Sequence, residues 1–488
     1  MKNIKINKIT LAILCFIFLL GMLICAAFTS PLFPYSLGDD SALFTLIGKG
    51  MTEGKVVYKD LFDHKGPILF FVEAFGYFWG GRTGIFILQC IFGLVNLFLA
   101  YKIWVKLRQN QANNGFIDLL IVFITGCAYF FFVFQQGNLS EEYSLPFIFL
   151  SILLFVNYAL KSESDPKHPY LYSFFYGVTL TILVFIRLNN AITVIAGVFA
   201  IFLYLIYKKE YKNIFVNILF GLLGVCVTCL PIVIYFALKS ALFDMLYATF
   251  IYNFKYAGNI GHQSIIANLS KFAVLYLPIV ISILLIALRI KSSKKITFLN
   301  FMLIIIVIFN AVVLIVANIY PHYFTVYVPV FILVLSANFT FERKKFKNLL
   351  LYLLSLICLL NVGISVAKQF YANHIINNQK EIYTCVSDAV KIIPEDEKDS
   401  VVGFNFPCSY YLYADIVPCF KYYTHQEWWS KNDPKIIDSF VEHINSGGAS
   451  WLLILPNEDN EDVLMVVSEK YELVEENRCI KLYKFKKK

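Results

Sequence analysis

YSLGDDSALFTLIGKGMTEGKVVYKDLFDHKGP, residues 35–67, is the stretch on which the reading of this chain turns. It follows one apolar run, residues 9–29, and precedes a long series of others. It is too polar to cross a bilayer, where a span needs about 20 apolar residues. Paired acids, Asp39 and Asp40, stand at its front. Its back is the acid–base turn Tyr58-Lys59-Asp60-Leu61-Phe62-Asp63-His64-Lys65-Gly66-Pro67. A carboxylate beside a bilayer is costly unless it is paired or put to use. The stretch therefore predicts a loop, 31–83, just outside the membrane, with spanning segments built around it.

The wider composition agrees. Of 488 residues, 59% are hydrophobic, 17% aromatic and only 15% charged, with mean hydropathy +0.67. A soluble chain is nearer a quarter charged, so the class is a polytopic α-helical membrane protein. The net charge of +9 does not imply nucleic acid, because the bases fall in short loops between apolar runs. Eleven apolar segments are long enough to span: 9–29, 84–104, 116–136, 144–160, 170–187, 190–207, 213–238, 271–289, 297–317, 323–341 and 347–367.

With the N-terminus cytoplasmic, the inside loops read KNIKINK, YKIWVKLRQ, KSESDPKH, YKKEYK, RIKSSKK and ERKKFK. The outside loops GNLSEEY (137–143) and NIYPH (318–322) carry no Lys or Arg, and 239–270 carries only Lys239 and Lys255. That asymmetry puts 31–83, and everything after about 368, on the extracytoplasmic face. The first segment resembles a signal peptide, yet it exceeds a typical apolar core, and Ile24 rather than a small residue precedes Cys25. An uncleaved first span is expected.

Loop 31–83 has internal pattern. Leu43, Phe44, Leu46 and Ile47 recur at helical spacing, with Gly48 and Gly50 closing the segment, which predicts an interfacial helix over Ser41–Thr52. Ile68–Trp79 is a second apolar stretch, too short to span. From about residue 380 charges rise and short β-type runs alternate with helical ones. The runs DSVVGFNF, WLLILP, YELVEE and CIKLYKFKKK predict strands, with helices near Lys435–Asn445 and Asp462–Lys470. The expected organisation is a transmembrane domain, 1–370, and a small extracytoplasmic α/β domain, 371–488. GGAS at 447–450 reads as a turn rather than a ligand loop. Of eleven cysteines, all but Cys385, Cys408, Cys419 and Cys479 lie in apolar runs. Outside the cytoplasm a disulfide among those four is permitted, and the pairing is open.

The candidate site residues lie in the outside loops. Asp39 and Asp40 either cap the helix starting at Ser41 or serve as general base. The Asp60–Pro67 turn is either a solvated turn or a cationic clamp for a phosphate, with Lys65 as point charge and His64 as donor. Glu141 and Glu142 sit either in a helix first turn behind Ser140 or in a second acidic centre that orients an acceptor or holds a divalent cation. Arg187 is an interfacial anchor or a phosphate ligand. His322 is structural or binds phosphate or metal. A metal set, if one exists, would draw on Asp40, Glu142 and His322; no cofactor is otherwise indicated. Tyr252, Asn253, Lys255 and His262 are weaker candidates.

These motifs resemble a known family. Asp40-Ser41-Ala42-Leu43-Phe44, then Gly54-Lys55-Val56-Val57-Tyr58-Lys59-Asp60, then His64-Lys65-Gly66-Pro67 look like the GT-C fold transferases that use dolichyl- or undecaprenyl-phosphate sugars. The nearest branch is that of protein O-mannosyltransferases, aminoarabinose transferases and Rgt-type lipopolysaccharide core transferases. The resemblance covers residues 10–200 by motif and continues to about 370 by topology. It implies that Asp40 is the catalytic base, that Lys65 contacts the lipid phosphate, and that Glu141 or Glu142 is the acid opening a later span. Many members have Asp-Glu at the first site and Asp at the second, where this chain has Asp-Asp-Ser and Glu-Glu. The expected function is that of an inverting integral membrane glycosyltransferase of the cell envelope. It takes a sugar from a polyprenyl-phosphate donor to a hydroxyl of a glycan, lipid or protein, and needs no nucleic acid. The alternatives are a transporter or flippase for lipid-linked glycans, which predicts ionisable residues at mid-span, and a non-catalytic envelope assembly protein.

Overall fold

The computed structural model describes residues 8–108, 116–259, 273–293, 296–316, 320–338 and 345–486. His262 lies outside them. In chain order the main elements are α1 (Lys8–Ala26), α2 (Asp39–Thr52), α3 (Pro67–Leu107), α4 (Phe116–Val133), α5 (Ser140–Ala159), α6 (Tyr170–Ile186), α7 (Ile192–Tyr207) and α8 (Tyr211–Leu238). A short helix α9 (Leu242–Leu246), a π-turn Tyr247–Tyr252 and α10 (Asn253–Asn259) follow. Then come α11 (Leu277–Ser293), α12 (Phe298–Val316), α13 (Val328–Asn338) and α14 (Lys345–Tyr371). The last part holds α15 (Lys380–Val390), β1 (Val401–Gly403), α16 (Cys408–Ala414), α17 (Gln426–Ser430), α18 (Lys435–Asn445), β2 (Trp451–Ile454), α19 (Glu461–Lys470), β3 (Tyr471–Glu476) and β4 (Lys481–Phe485).

Each of the eleven expected spans falls on a helix. Among the described residues seven helices are long and apolar enough to cross a membrane, and Ile13–Ala26, Asp118–Val133 and Tyr170–Ile186 are shorter apolar helices. The protein is a polytopic helical membrane protein. Its chain divides into two compact units that are not contiguous in sequence.

The first unit comprises residues 1–27, 88–232 and 262–371. Its core is aliphatic and aromatic, with Phe155, Leu183, Val194, Met302, Leu303, Ile306 and Phe331 buried together. In hydrocarbon the hydrophobic effect does not drive helices together, so packing and interhelical hydrogen bonds hold them. Ser151 Oγ meets Thr179 Oγ1 at 2.8 Å, Thr193 Oγ1 meets Asn310 Oδ1 at 3.1 Å, and Asn190 Nδ2 donates to Ser144 Oγ at 2.8 Å.

The second unit comprises residues 28–87, 233–261 and 372–488. The expected boundary at 370/371 followed the composition change. The compact unit joins the C-terminal residues with the first loop and with 233–261. Phe62 explains why: its ring packs against Trp429, Tyr422 and Tyr252 at centroid distances of 5.0, 5.2 and 5.3 Å, and its N–H donates to Lys421 O at 2.9 Å.

The C-terminal sheet has the order β1-β2-β4-β3, with β1 parallel to β2 and the other pairs antiparallel. All four strands and both helices expected there are present, and Gly447 turns with φ +74°. The sequence reading did not anticipate α15, α16 and α17.

Two local features set the shape of the loop. Helix α3 is broken at Gly80–Gly81, where Gly81 has φ +59°, so Pro67–Trp79 is a separate short helix before the long one. Arg82, just past the break, donates to the carbonyls of Phe28, Phe33, Pro34 and Ser36. One guanidinium thereby satisfies the chain turning from residue 28 to residue 36. Gly48 and Gly50 do not end α2, which runs on to Thr52. Gly48 instead admits α3, since a Cβ there would lie 2.9 Å from the Glu73 carbonyl carbon.

Alanine at 48 would gain up to about 1 kcal/mol of helix propensity but meet backbone that cannot yield, and overpacking costs roughly 1–3 kcal/mol. Gly48→Ala is therefore expected to lower the melting temperature by several degrees. Gly363→Ala, where nothing lies within 4 Å of the new Cβ, should leave it unchanged or raise it. Thermal unfolding of the detergent-solubilised protein checks both.

Candidate active site

In the second unit α2 begins with Gly38 as N-cap and makes no side-chain cap bond. Asp39 and Asp40 therefore do not cap it. They occupy its first turn, where the helix dipole favours negative charge, Asp39 exposed and Asp40 half-buried.

The turn at 63–65 is closed by its own side chains. Asp63, buried, accepts Lys65 N–H at Oδ1 at 2.7 Å. Lys65 Nζ lies 3.1 Å from His64 Nε2, and His64 Nδ1 lies 3.7 Å from Asp63 Oδ2. An ammonium only donates, so Nε2 accepts and the imidazole proton sits on Nδ1, facing Asp63. Tyr58 O–H donates to Lys65 O at 2.7 Å, and Asn253 Nδ2 to His64 O at 2.7 Å. The His64 ring lies among Tyr252, Tyr256 and Trp428, with centroids 5.8–6.0 Å away. The Lys65 ammonium also stands over the Phe44 ring at 5.9 Å.

Burial raises the pKa of Asp63. Lys65, by its charge and its backbone N–H, opposes the rise, Asp40 adds to it, and His425 opposes it. Three other ionisable groups of this unit, Asp40, Lys65 and His425, thus act on this one buried carboxylate. His425 was not legible in the sequence. It comes from the far C-terminal part, in a left-handed backbone conformation with φ +49° at the start of α17.

Tyr252, Asn253 and Lys255 support this turn. Tyr252 O–H donates to Trp429 O at 3.2 Å, and Lys255 Nζ pairs with Asp433 at 2.8 Å. Asp433 also accepts from Tyr247 O–H. Lys49, nearly fully buried, pairs with Asp415 at 2.5 Å, another contact between distant residues that spacing did not reveal.

In the first unit Glu141 and Glu142 stand in the first turn of α5, both buried. Glu141 forms an ion pair with Arg187. Arg187 stacks over Tyr323 at 3.9 Å, and His322 Nδ1 meets Gln135 Oε1 at 2.8 Å. Glu142 accepts from Gln89 Nε2 at 2.8 Å and from Asn138 N–H at 2.9 Å. Arg187 and Glu141, expected in separate roles as phosphate ligand and acid, are thus partners. Among the described residues no group of three or more His, Cys, Asp or Glu side chains is placed to hold a metal ion. The trio Asp40, Glu142 and His322 is divided between the two units.

The family model of the competence-induced protein Ccs4 N-terminal domain matches residues 2–350. The chain belongs to that family. No curated protein matches the sequence. Among solved structures, ArnT from Cupriavidus metallidurans in the apo state is similar over 98% of both chains, at 11% identity and a TM-score of 0.59. The same protein bound to undecaprenyl phosphate is similar over 97% of this chain and 96% of that one, at 10% identity and 0.58. The archaeal oligosaccharyltransferase AglB from Archaeoglobus fulgidus, in complex with an inhibitory peptide and a dolichol-phosphate, covers 92% of this chain and 69% of its own, at 12% identity and 0.50. These likenesses show the GT-C fold that the motifs implied.

Two outcomes follow from the geometry. Removing one partner of a buried ion pair strands the other charge, so Arg187→Ala should cost about 3–5 kcal/mol. Arg187→Met with Glu141→Leu should recover most of it, as read by detergent unfolding. For Asp63 the folded pKa lies above the unfolded one, so its stabilising contribution is complete below the unfolded value, about pH 4, and is lost as pH rises through the folded value. Asp63→Asn keeps an acceptor for Lys65 N–H and removes that loss. The variant should match wild type near pH 4 and exceed its melting temperature at pH 7.

Proposed function

We propose that this protein is an integral membrane glycosyltransferase that moves a sugar from a polyprenyl phosphate to a hydroxyl of a glycan, lipid or protein acceptor. The observation that carries the reading is the turn Asp63–Lys65, whose buried Lys65 ammonium is held by His64 in the same compact unit as Asp40. The GT-C fold, and neighbours whose structures hold undecaprenyl phosphate or dolichol-phosphate, support it.

In this reading Asp40 takes the proton of the acceptor hydroxyl as its oxygen attacks the anomeric carbon. The bond from that carbon to the phosphate oxygen breaks, and polyprenyl phosphate leaves with inverted configuration at the sugar. The negative charge that grows on the phosphate meets Lys65 Nζ, which His64 Nε2 holds in place. A fixed ammonium loses little to reorganisation at the moment of reaction. Asp39 keeps the first turn of α2 acidic. The family resemblance makes Glu141 or Glu142 the acid that opens the later span, and Arg187 and His322 are candidates from the sequence for binding phosphate. The step as written runs on this chain's own carboxylate and ammonium.

The distribution of Lys and Arg supports a cytoplasmic N-terminus and an extracytoplasmic loop 31–83 and C-terminal part. The sugar would then be transferred on the outer face. Ionisable residues gathered at loop ends, rather than at mid-span, favour an enzyme over a transporter.

Purified protein given a panel of polyprenyl-phosphate sugars and candidate acceptors should release free polyprenyl phosphate. Asp40→Asn should slow that release by about 10²–10⁴-fold while the protein still folds and inserts. Undiminished release in Asp40→Asn, or no release with any donor, would overturn the reading.

A further inference from the structure

Two of the C-terminal cysteines face each other. Cys385 lies in α15, and Cys479 lies in the turn between β3 and β4. Asn477 ties the two places together. Its Oδ1 accepts from Cys479 N–H at 2.8 Å and from Ile480 N–H at 3.0 Å, which shapes the turn. The same oxygen accepts from Cys385 Sγ at 3.2 Å, and Asn477 Nδ2 donates back to Cys385 O at 3.1 Å. The thiol and the carbonyl of Cys385 are thus both held by the residue two positions before Cys479. Arg478, between them in sequence, pairs with Glu381 one helical turn before Cys385 at 3.0 Å.

Cys385 Sγ and Cys479 N–H thus converge on one oxygen, Asn477 Oδ1, which sets the two cysteines side by side. Both are half-buried, and so open to a redox partner. The other two cysteines of this part are placed differently: Cys408 is buried, and Cys419 Sγ lies 4.0 Å from His443 Nε2.

We propose that Cys385 and Cys479 are joined by a disulfide that staples α15 to the β3–β4 turn. The bond would also fix one wall of an open cavity of about 490 Å³ whose lining includes Glu381, Tyr410, Leu455, Glu458, Arg478 and Cys479. Oxidation proceeds by exchange with a disulfide-bearing oxidoreductase. One thiol, deprotonated, attacks the partner's disulfide and displaces one of its sulfurs. The second thiolate then attacks the mixed disulfide. The two protons and two electrons end on the partner, which leaves as a dithiol. Burial pushes the Cys479 thiol up to about 11, Cys385 adds to the rise, and Arg478 opposes it. Little of Cys479 is therefore thiolate at neutral pH, which slows exchange at that sulfur.

The proposal rests on the reading that residues 372–488 face the outside, where disulfides persist. The test separates the two claims. In a Cys385→Ser, Cys479→Ser background, Asp462→Cys supplies an exposed reporter. Intact cells carrying it are treated with a membrane-impermeant maleimide, and the same background without the reporter is the control. Separately, wild-type protein is alkylated at lysis without reductant and mapped by mass spectrometry. The expected result is a labelled reporter together with a cross-linked peptide pair joining 385 to 479. Reduction should split that pair and lower the melting temperature by several degrees. A labelled reporter with Cys385 and Cys479 both alkylated overturns the disulfide and leaves the orientation standing. An unlabelled reporter overturns the orientation, and the disulfide with it.

Discussion

A charge held beside a bilayer needs a partner, and the architecture of the second unit follows from how it holds Lys65. An ammonium largely removed from water is stable only if its donors are used and an opposite charge is close. The turn provides both. His64 accepts from Lys65 Nζ, Asp63 takes the Lys65 backbone N–H and faces the other side of the imidazole, and Tyr58 closes the turn on the Lys65 carbonyl. Asp63 is itself buried, so it too must be surrounded. The aromatic groups Phe62, Tyr252, Tyr256, Trp428 and Trp429 supply the enclosure.

That enclosure explains why the C-terminal part and the first loop share one compact unit. The rings around the turn come from residues 233–261 and from 420–429, not from the loop alone. Lys49 with Asp415 and Lys421 with Asp244 pair the same three chain segments through charge. Residues 420–429 of the C-terminal part are thus among what encloses the turn. A rigid ammonium is the condition under which it can stabilise charge that develops on a leaving phosphate.

The sequence showed the fold well where the signal is local. Eleven apolar segments became eleven helices, because length and hydropathy decide a span without reference to partners. The strands at 401–403, 451–454, 471–476 and 481–485 were visible from their period and their turn residues. Asp40, His64 and Lys65 stood out as candidates because charges at the edge of an apolar chain demand a reason. What escaped were arrangements set by distant residues. Gly48 looked like a helix end and is a point of close helix approach. Arg82 gave no sign that it would gather four carbonyls. Nothing near His425 announced a role beside Asp63, and nothing in Glu141 or Arg187 announced that each is the other's counter-charge. Helices α15, α16 and α17 are short and owe their stability to packing rather than to a long periodic pattern.

In the proposed function Lys65 is the group that receives the lipid phosphate. The most direct measurement is equilibrium binding of polyprenyl phosphate to the purified protein, followed by phosphorus NMR or by quenching of tryptophan fluorescence beside His64. The account predicts saturable binding that Lys65→Ala weakens by roughly tenfold or more, the worth of a charge-assisted bond, with the variant still folded. Equal affinity in wild type and Lys65→Ala would contradict it.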